Sequence, residues 1–284
     1  MKFKKILFSL FILPLFFVTS CTNKGNEKSV ITSFYAVNEF TKELVKDTNI
    51  NVSCLVNGLV EPHEYEPTAK QVTNMTNANL VILNGLDFEE FSKNLESNDK
   101  IKDKILYASK DIELIKIDSN IDPHTFVSLK EALIMVTNIK NGLINAFDED
   151  TEIIEKNYDN YYNRLNELNN RFEKELLKLK DSTIIVGHEA FNYFGRDYNI
   201  NTKPLLGLHE EEPSAKALTD IKKYIQDNNI TKIYGEHFEE NESIEKVAKN
   251  CNISVSYLYT CEMMNNSNLS YIECQEENLK TLIK

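Results

Sequence analysis

After Gly142 the chain runs to Lys180 without a glycine or a proline, and the apolar and aromatic residues in that run recur at three- and four-residue steps. Tyr158, Tyr161, Tyr162, Leu165, Leu168 and Phe172 make one stripe, the period of an α-helix with a single packed face. The pattern predicts a long helix from Thr151 to about Leu179. Tyrosines in a stripe can offer a stacking surface to a ligand, but a heavily charged helix with one apolar stripe is more simply a helix packed along one flank of the protein. Such a rod constrains the fold, because the segments before and after it must be built as separate bodies on either side.

Those segments share another rhythm. Before the rod, short β-rich runs near Val30–Ser33, Asn51–Val56, Leu80–Asn84 and Leu114–Ile117 alternate with helical runs near Val37–Val45 and Thr68–Asn77. After it come strands at Ser182–Val186, Lys203–Leu208, Lys232–Gly235 and Ser254–Tyr259, then a closing helix from about Tyr271. Strand–helix alternation builds βαβ units, hence parallel sheets with helices on both faces. The expected fold class is α/β with two lobes, each a parallel sheet flanked by helices, joined by one long rigid helix. Expected boundaries are residues 30–150 for the N-terminal lobe, 151–180 for the linking helix and 181–284 for the C-terminal lobe.

At the start, Lys2, Lys4 and Lys5 precede an apolar run, Ile6–Val18, broken only by Ser9 and Pro14. A run of that length spans roughly 20 Å as a helix, short of the ~30 Å hydrocarbon core of a bilayer. Residues 1–20 therefore read as a secretory signal peptide. Val18-Thr19-Ser20-Cys21 matches the bacterial lipobox, which makes Cys21 the expected site of lipid attachment. Residues 21–29 then form a polar, aromatic-free spacer between the lipid and the fold. The expected location is extracytoplasmic, held to the cell membrane by acyl chains.

Without residues 1–20 the chain carries 29 basic and 44 acidic side chains, a balance of −15 in place of −12. A chain this acidic and free of tryptophan is a poor partner for nucleic acid or anionic lipid. Cys54, Cys251, Cys261 and Cys274 form no C-x-x-C pair, which argues against a thiolate zinc site or a redox motif. Export permits disulfides among them, with a pairing the sequence leaves open.

The five histidines are placed more tellingly. His63, His188, His209 and His237 each follow a predicted strand, and His124 lies a few residues past the strand predicted at Leu114–Ile117. In open α/β sheets the carboxyl ends of strands face the ligand crevice, so all five are candidates for one cleft. A lone histidine in such a loop is usually a hydrogen-bonded structural residue, whereas three from separate strands of two lobes favour a metal centre, imidazole being the commonest zinc ligand.

Three local sequences carry a resemblance: Pro62-His63-Glu64-Tyr65-Glu66-Pro67-Thr68, Asp122-Pro123-His124, and Gly187-His188-Glu189-Ala190-Phe191-Asn192-Tyr193-Phe194. With Gly207-Leu208 and Glu211-Glu212-Pro213-Ser214-Ala215-Lys216, the mature chain resembles the zinc-binding lipoproteins of ABC importers, the ZnuA/AdcA-like cluster of substrate-binding proteins. The resemblance implies one Zn(II) per chain, as transported ligand, between two lobes. It matches His63, His124 and His188 to the family's three histidine ligands. Manganese-binding relatives carry Glu in place of the third His and add an Asp. An imidazole-rich set independently suits Zn²⁺ better than Mn²⁺. Implied partners are an ABC permease with its ATPase, for a monomer on a Gram-positive cell membrane.

For the fourth ligand the resemblance points to Glu262, after the last predicted strand, with Cys261, His237 and water as competitors. The chain departs from the family in having no histidine over Gly85–Pro123, where zinc-type members often carry a His-rich loop, and in reading Asp122-Pro123-His124-Thr125-Phe126 where a Trp is usual. The zinc module appended in some relatives is not expected here. His209 and His237 are expected to be structural or solvent-facing. Two rivals stand beside the zinc carrier: a manganese or iron carrier of the same fold, and a zinc hydrolase with water as fourth ligand and Glu189 or Glu236 as acid or base. No H-E-x-x-H helix supports the hydrolase, and the expected protein is not an enzyme.

Overall fold

The computed structural model describes residues 27–208, 213–239, 241–263 and 269–284. The predicted signal peptide, Cys21, most of the spacer and His209 lie outside the described residues.

The N-terminal lobe holds β1 (Ser29–Thr32), α1 (Tyr35–Leu44), β2 (Asn51–Cys54), α2 (Ala69–Asn77), β3 (Leu80–Leu83), α3 (Ser92–Glu96) and β4 (Ile105–Tyr107). Its sheet is parallel, in the order β2-β1-β3-β4. The sequence Leu80-Val81-Ile82-Leu83 is apolar at every position and buried throughout, as a central strand covered on both faces must be. Thr68 starts α2 with a reciprocal cap: its hydroxyl accepts the Gln71 amide while the Gln71 side chain accepts the Thr68 amide. A small antiparallel hairpin, β5 (Lys116–Ile117) with β6 (Asn120–Ile121), follows before α4 (Leu129–Ala146).

The predicted rod is α5 (Thr151–Glu175), extended by a 3₁₀ turn over Leu176–Leu179. Ile154, Tyr161, Leu165, Leu168 and Phe172 are buried along it, so its stripe faces the core. The C-terminal lobe then runs β7 (Thr183–Val186), α6 (Asn192–Tyr198), β8 (Asn201–Pro204), α7 (Ala215–Asp227), β9 (Lys232–Glu236), α8 (Glu242–Cys251), β10 (Ser254–Leu258) and α9 (Tyr271–Ile283). Its parallel order, β10-β9-β7-β8, repeats that of the first lobe: the second strand lies outside the first, and the third and fourth lie on its other side. Among the described residues no helix is long and apolar enough to cross a membrane.

One hydrophobic core runs from Val30 and Phe34 through α4 and α5 to Tyr193, Leu258 and Tyr271. The Tyr271 hydroxyl donates to the Phe126 carbonyl at 2.7 Å, and the Tyr35 amide donates to the Glu262 carbonyl at 3.3 Å. The lobes therefore share packing as well as a connecting rod.

Three local expectations shift. The strand expected at Asn51–Val56 stops at Cys54, so His63 sits well out in a loop. The strand expected at Lys203–Leu208 is Asn201–Pro204, the edge strand of its sheet. The strand expected at Leu114–Ile117 shrinks to two residues of the hairpin, so His124 reaches the site from an antiparallel turn and not from the end of a parallel strand.

Candidate metal centre

The loops after β2, β6, β7 and β10 meet where the two sheets present their carboxyl ends, the position that open α/β folds reserve for ligands. His63, His124, His188 and Glu262 are all buried there. The Nε2 atoms of His63 and His124 are 3.1 Å apart. Glu262 faces all three rings: its Oε2 lies 3.9 Å from His63 Nε2, and its Oε1 lies 3.8 Å from His124 Nε2 and 3.7 Å from His188 Nε2. His63, His124 and Glu262 each bring a donor atom within 4.8 Å of the other two, and His188 joins them through its Nε2 contact with Glu262 Oε1.

Each of two imidazoles is backed by a carboxylate. Asp122 Oδ1 accepts the His124 amide at 2.9 Å and lies 2.8 Å from its Nδ1, while Asp122 Oδ2 accepts from Asn192 Nδ2 at 3.0 Å. A proton held on Nδ1 leaves the Nε2 lone pair directed inward. Glu236 Oε1 accepts the His188 amide at 2.9 Å, and its Oε2 lies 2.7 Å from His188 Nδ1. Gly187 permits this approach, since a Cβ there would stand 2.7 Å from Glu236 Oε1. Glu61 Oε1 accepts the His63 amide at 3.0 Å, and the Phe88 ring packs edge-on against the His63 ring.

The Asp122-Pro123-His124 turn is fixed from below. Asn84, just past β3, donates from Nδ2 to the Pro123 carbonyl at 2.9 Å, and Glu89 accepts the amides of Asn84 and Gly85. On the other side, the Tyr193 hydroxyl donates to the Asp122 carbonyl at 2.9 Å. Helix α6, next in sequence after His188, is further tied to α4: Arg196 pairs with Glu131 and Asp197, and the Ser128 hydroxyl donates to Asp197 Oδ2 at 2.5 Å.

Burial dominates the electrostatics. It holds the His124 ring below the usual imidazole pKa, against the opposing pull of Asp122. It pushes the Glu262 carboxyl well above the usual carboxylate range, with the carboxylates of Glu61, Glu239 and Glu236 adding to the rise and His188 opposing it. Glu262 Oε1 is buried without a hydrogen-bond partner. A carboxylate oxygen desolvated among three imidazole nitrogens, with no hydrogen bond to offset the cost, fits a cation and little else.

The competitors for the fourth position are elsewhere. Cys261 takes φ +69° and turns its thiol into the core, where Sγ accepts from Gln275 Nε2 at 3.8 Å; burial raises its pKa and disfavours the thiolate. The His237 ring stacks on Tyr259 with centroids 4.0 Å apart, so the fifth-histidine cleft expected from strand ends does not form around it. Cys54, Cys251, Cys261 and Cys274 are thiols in this structure. Asp122 and Glu236 were missed as supports of the ligands. Asp122 had a signal, two residues from His124 in an Asp-Pro-His turn; Glu236 had none, because it lies 48 residues from His188.

The family model describing the periplasmic zinc-uptake complex component A matches residues 30–284. The chain belongs to the ZnuA family. That family comprises metal-binding transport proteins and is not a family of enzymes. This ZnuA-family chain is 30% identical to the zinc-binding lipoprotein AdcA of Streptococcus pneumoniae over 98% of its own length and 60% of the relative's. It is 29% identical to the high-affinity zinc uptake system protein ZnuA of Bacillus subtilis, over 93% of its length and 89% of that protein's. The crystal structure of the Zn(II)-bound ZnuA-like domain of S. pneumoniae AdcA superposes with a TM-score of 0.80 at 30% identity, covering 90% of this chain and 98% of that domain. The chain thus spans about 60% of the length of the AdcA it matches.

Proposed function

We propose that this chain is an extracytoplasmic zinc carrier, lipid-anchored at Cys21, that binds one Zn²⁺ through His63, His124, His188 and Glu262 and delivers it as a monomer to an ABC permease and its ATPase. The observation that carries the reading is the buried Glu262 carboxylate, 3.7–3.9 Å from three imidazole Nε2 atoms. Tetrahedral zinc with bonds of about 2.0–2.1 Å needs ligand atoms roughly 3.3–3.4 Å apart. The His63–His124 and Glu262–imidazole separations of 3.1–3.9 Å bracket that value. Three imidazoles and one carboxylate favour Zn²⁺ over Mn²⁺, which prefers more oxygen.

A carboxylate in the fourth position leaves no place for an activated water, and Glu236, a candidate acid or base, is committed to His188. The reading is therefore a carrier and not a hydrolase. Its test is competitive titration of the demetallated soluble domain with Zn²⁺, Mn²⁺, Fe²⁺ and Cu²⁺, with melting temperature followed in parallel. Tight binding of one Zn²⁺ and a stabilisation well above that from Mn²⁺ at equal concentration is expected. Equal stabilisation by Mn²⁺, or none by Zn²⁺, would overturn it.

A further inference from the structure

Three of the four ligands are steadied by a neighbouring carboxylate: Asp122 lies against the His124 ring, Glu236 lies against the His188 ring, and Glu61 accepts the His63 amide. Glu262 is held differently. Its Oε1 is buried without a hydrogen-bond partner, so the segment bearing it gains by swinging the carboxylate out to water unless its main chain is restrained.

The restraint comes from one residue of the other lobe. Tyr35 opens α1, where the first amides have no acceptor within the helix. Its amide donates instead to the Glu262 carbonyl at 3.3 Å, and its hydroxyl donates to the Leu269 carbonyl. The chain is thus gripped at the fourth ligand itself and again seven residues on. Tyr35 is 4% exposed, in the core that joins the lobes, so both bonds are largely shielded from water.

The same helix start is in register with two of the histidines. Phe34, the residue before Tyr35, packs on Phe88 and Phe126 with ring centroids 4.6 and 4.7 Å apart. Phe88 in turn meets the His63 ring at 4.3 Å, and Phe126 meets the His124 ring at 6.0 Å. Two adjacent residues therefore tie the aromatic wall behind two imidazoles to the main chain of the carboxylate that faces them.

We infer that Tyr35 is the positioning residue of Glu262: it sets the reach of the fourth ligand onto the metal and thereby the rate at which Zn²⁺ is released. The inference rests on the zinc reading above. Tyr35 acts only through the main chain around Glu262.

The test is release of Zn²⁺ from the loaded protein into an excess of a metallochromic chelator, for the wild type, Tyr35→Phe, Glu262→Ala and the double variant. Phenylalanine keeps the ring in the core and removes only the hydroxyl. Release should be about three- to tenfold faster in Tyr35→Phe than in the wild type, the range one intramolecular hydrogen bond is worth. Between Glu262→Ala and the double variant the rates should differ by less than about twofold, since no carboxylate is left to position. An unchanged rate in Tyr35→Phe, or equal acceleration in both backgrounds, would overturn the inference while leaving the zinc centre standing. A measurement on the unaltered chain checks the other bond: Zn²⁺ should slow hydrogen exchange at the Tyr35 amide roughly tenfold. An exchange rate indifferent to Zn²⁺ would count equally against the inference. Failure of the wild type to bind Zn²⁺ would instead strike the zinc reading, and the inference with it.

Discussion

Glu236 stands directly behind His188, one carboxylate oxygen accepting the His188 amide at 2.9 Å and the other 2.7 Å from the ring Nδ1. Glu236 ends β9 and His188 lies in the loop after β7 of the same sheet, and Gly187 leaves the space between them. Such a partner fixes ring orientation and raises ligand basicity. Glu236→Gln should weaken zinc binding roughly 10- to 100-fold in a competition titration, and Glu236→Asp should recover part of the loss. An affinity unchanged in Glu236→Gln would show that the carboxylate does not hold the ring.

Glu262→Gln should stabilise the metal-free protein and weaken its response to zinc. The folded-state pKa of Glu262 is raised, so the stability its proton lends the metal-free protein is fully present below the unfolded carboxylate value and is lost as pH rises through the raised value, above which the native state holds a charge that burial opposes. Glutamine removes that penalty together with the ligand charge. The variant should melt above the metal-free wild type at pH 7.5 yet gain less on adding Zn²⁺, as measured by thermal unfolding. A lower metal-free melting temperature would contradict the cost assigned to the buried carboxylate.

Zinc affinity should fall with acid, and proton uptake by Glu262 should contribute to the fall. Its raised pKa makes Glu262 a proton acceptor competing with the metal, whereas burial keeps the His124 ring neutral below the ordinary imidazole value of about 6.5. Affinities measured from about pH 8 to about pH 5.5, a range spanning that imidazole value, should decline more steeply for the wild type than for Glu262→Gln. Parallel curves would assign the proton competition to the imidazoles alone.

Arg196 holds two acids at the α4–α6 junction, Glu131 and Asp197. Burial and the Asp197 carboxylate push the Glu131 carboxyl up to about 7, with Arg196 pulling the other way. Arg196→Met should cost about 2–3 kcal/mol in denaturant unfolding, since it leaves two largely buried carboxylates uncompensated. Because the folded value for Glu131 exceeds the unfolded one, its stabilising proton is present at low pH and lost as pH rises through about 7. Glu131→Gln should therefore flatten the pH dependence of stability between those limits; an unaltered slope would remove Glu131 as its source.

With Cys21→Ala the protein should leave the membrane fraction and appear in the soluble extracytoplasmic fraction, since acyl chains supply the affinity. Retention in the membrane pellet would favour an uncleaved signal anchor.

What the sequence determined by itself is what local chemistry dictates. Periodicity marked the long helix over Thr151–Glu175, and alternation marked both parallel sheets. Helical character over Thr68–Asn77 placed the second helix, and Pro62-His63, Asp122-Pro123-His124 and Gly187-His188 carried the three imidazoles. Residues 1–20 and Cys21 speak of export and anchoring without reference to any fold. Tertiary structure alone decided the rest. In one dimension Glu262 kept Cys261 and His237 as competitors; in the fold a positive φ at Cys261 sends its thiol to Gln275, and stacking on Tyr259 holds the His237 ring. Glu236 behind His188, and Arg196 between Glu131 and Asp197, depend on β-sheet order and helix packing. No short-range periodicity encodes them, because donor atoms separated by dozens of residues are brought within bonding distance only when the sheets and helices pack.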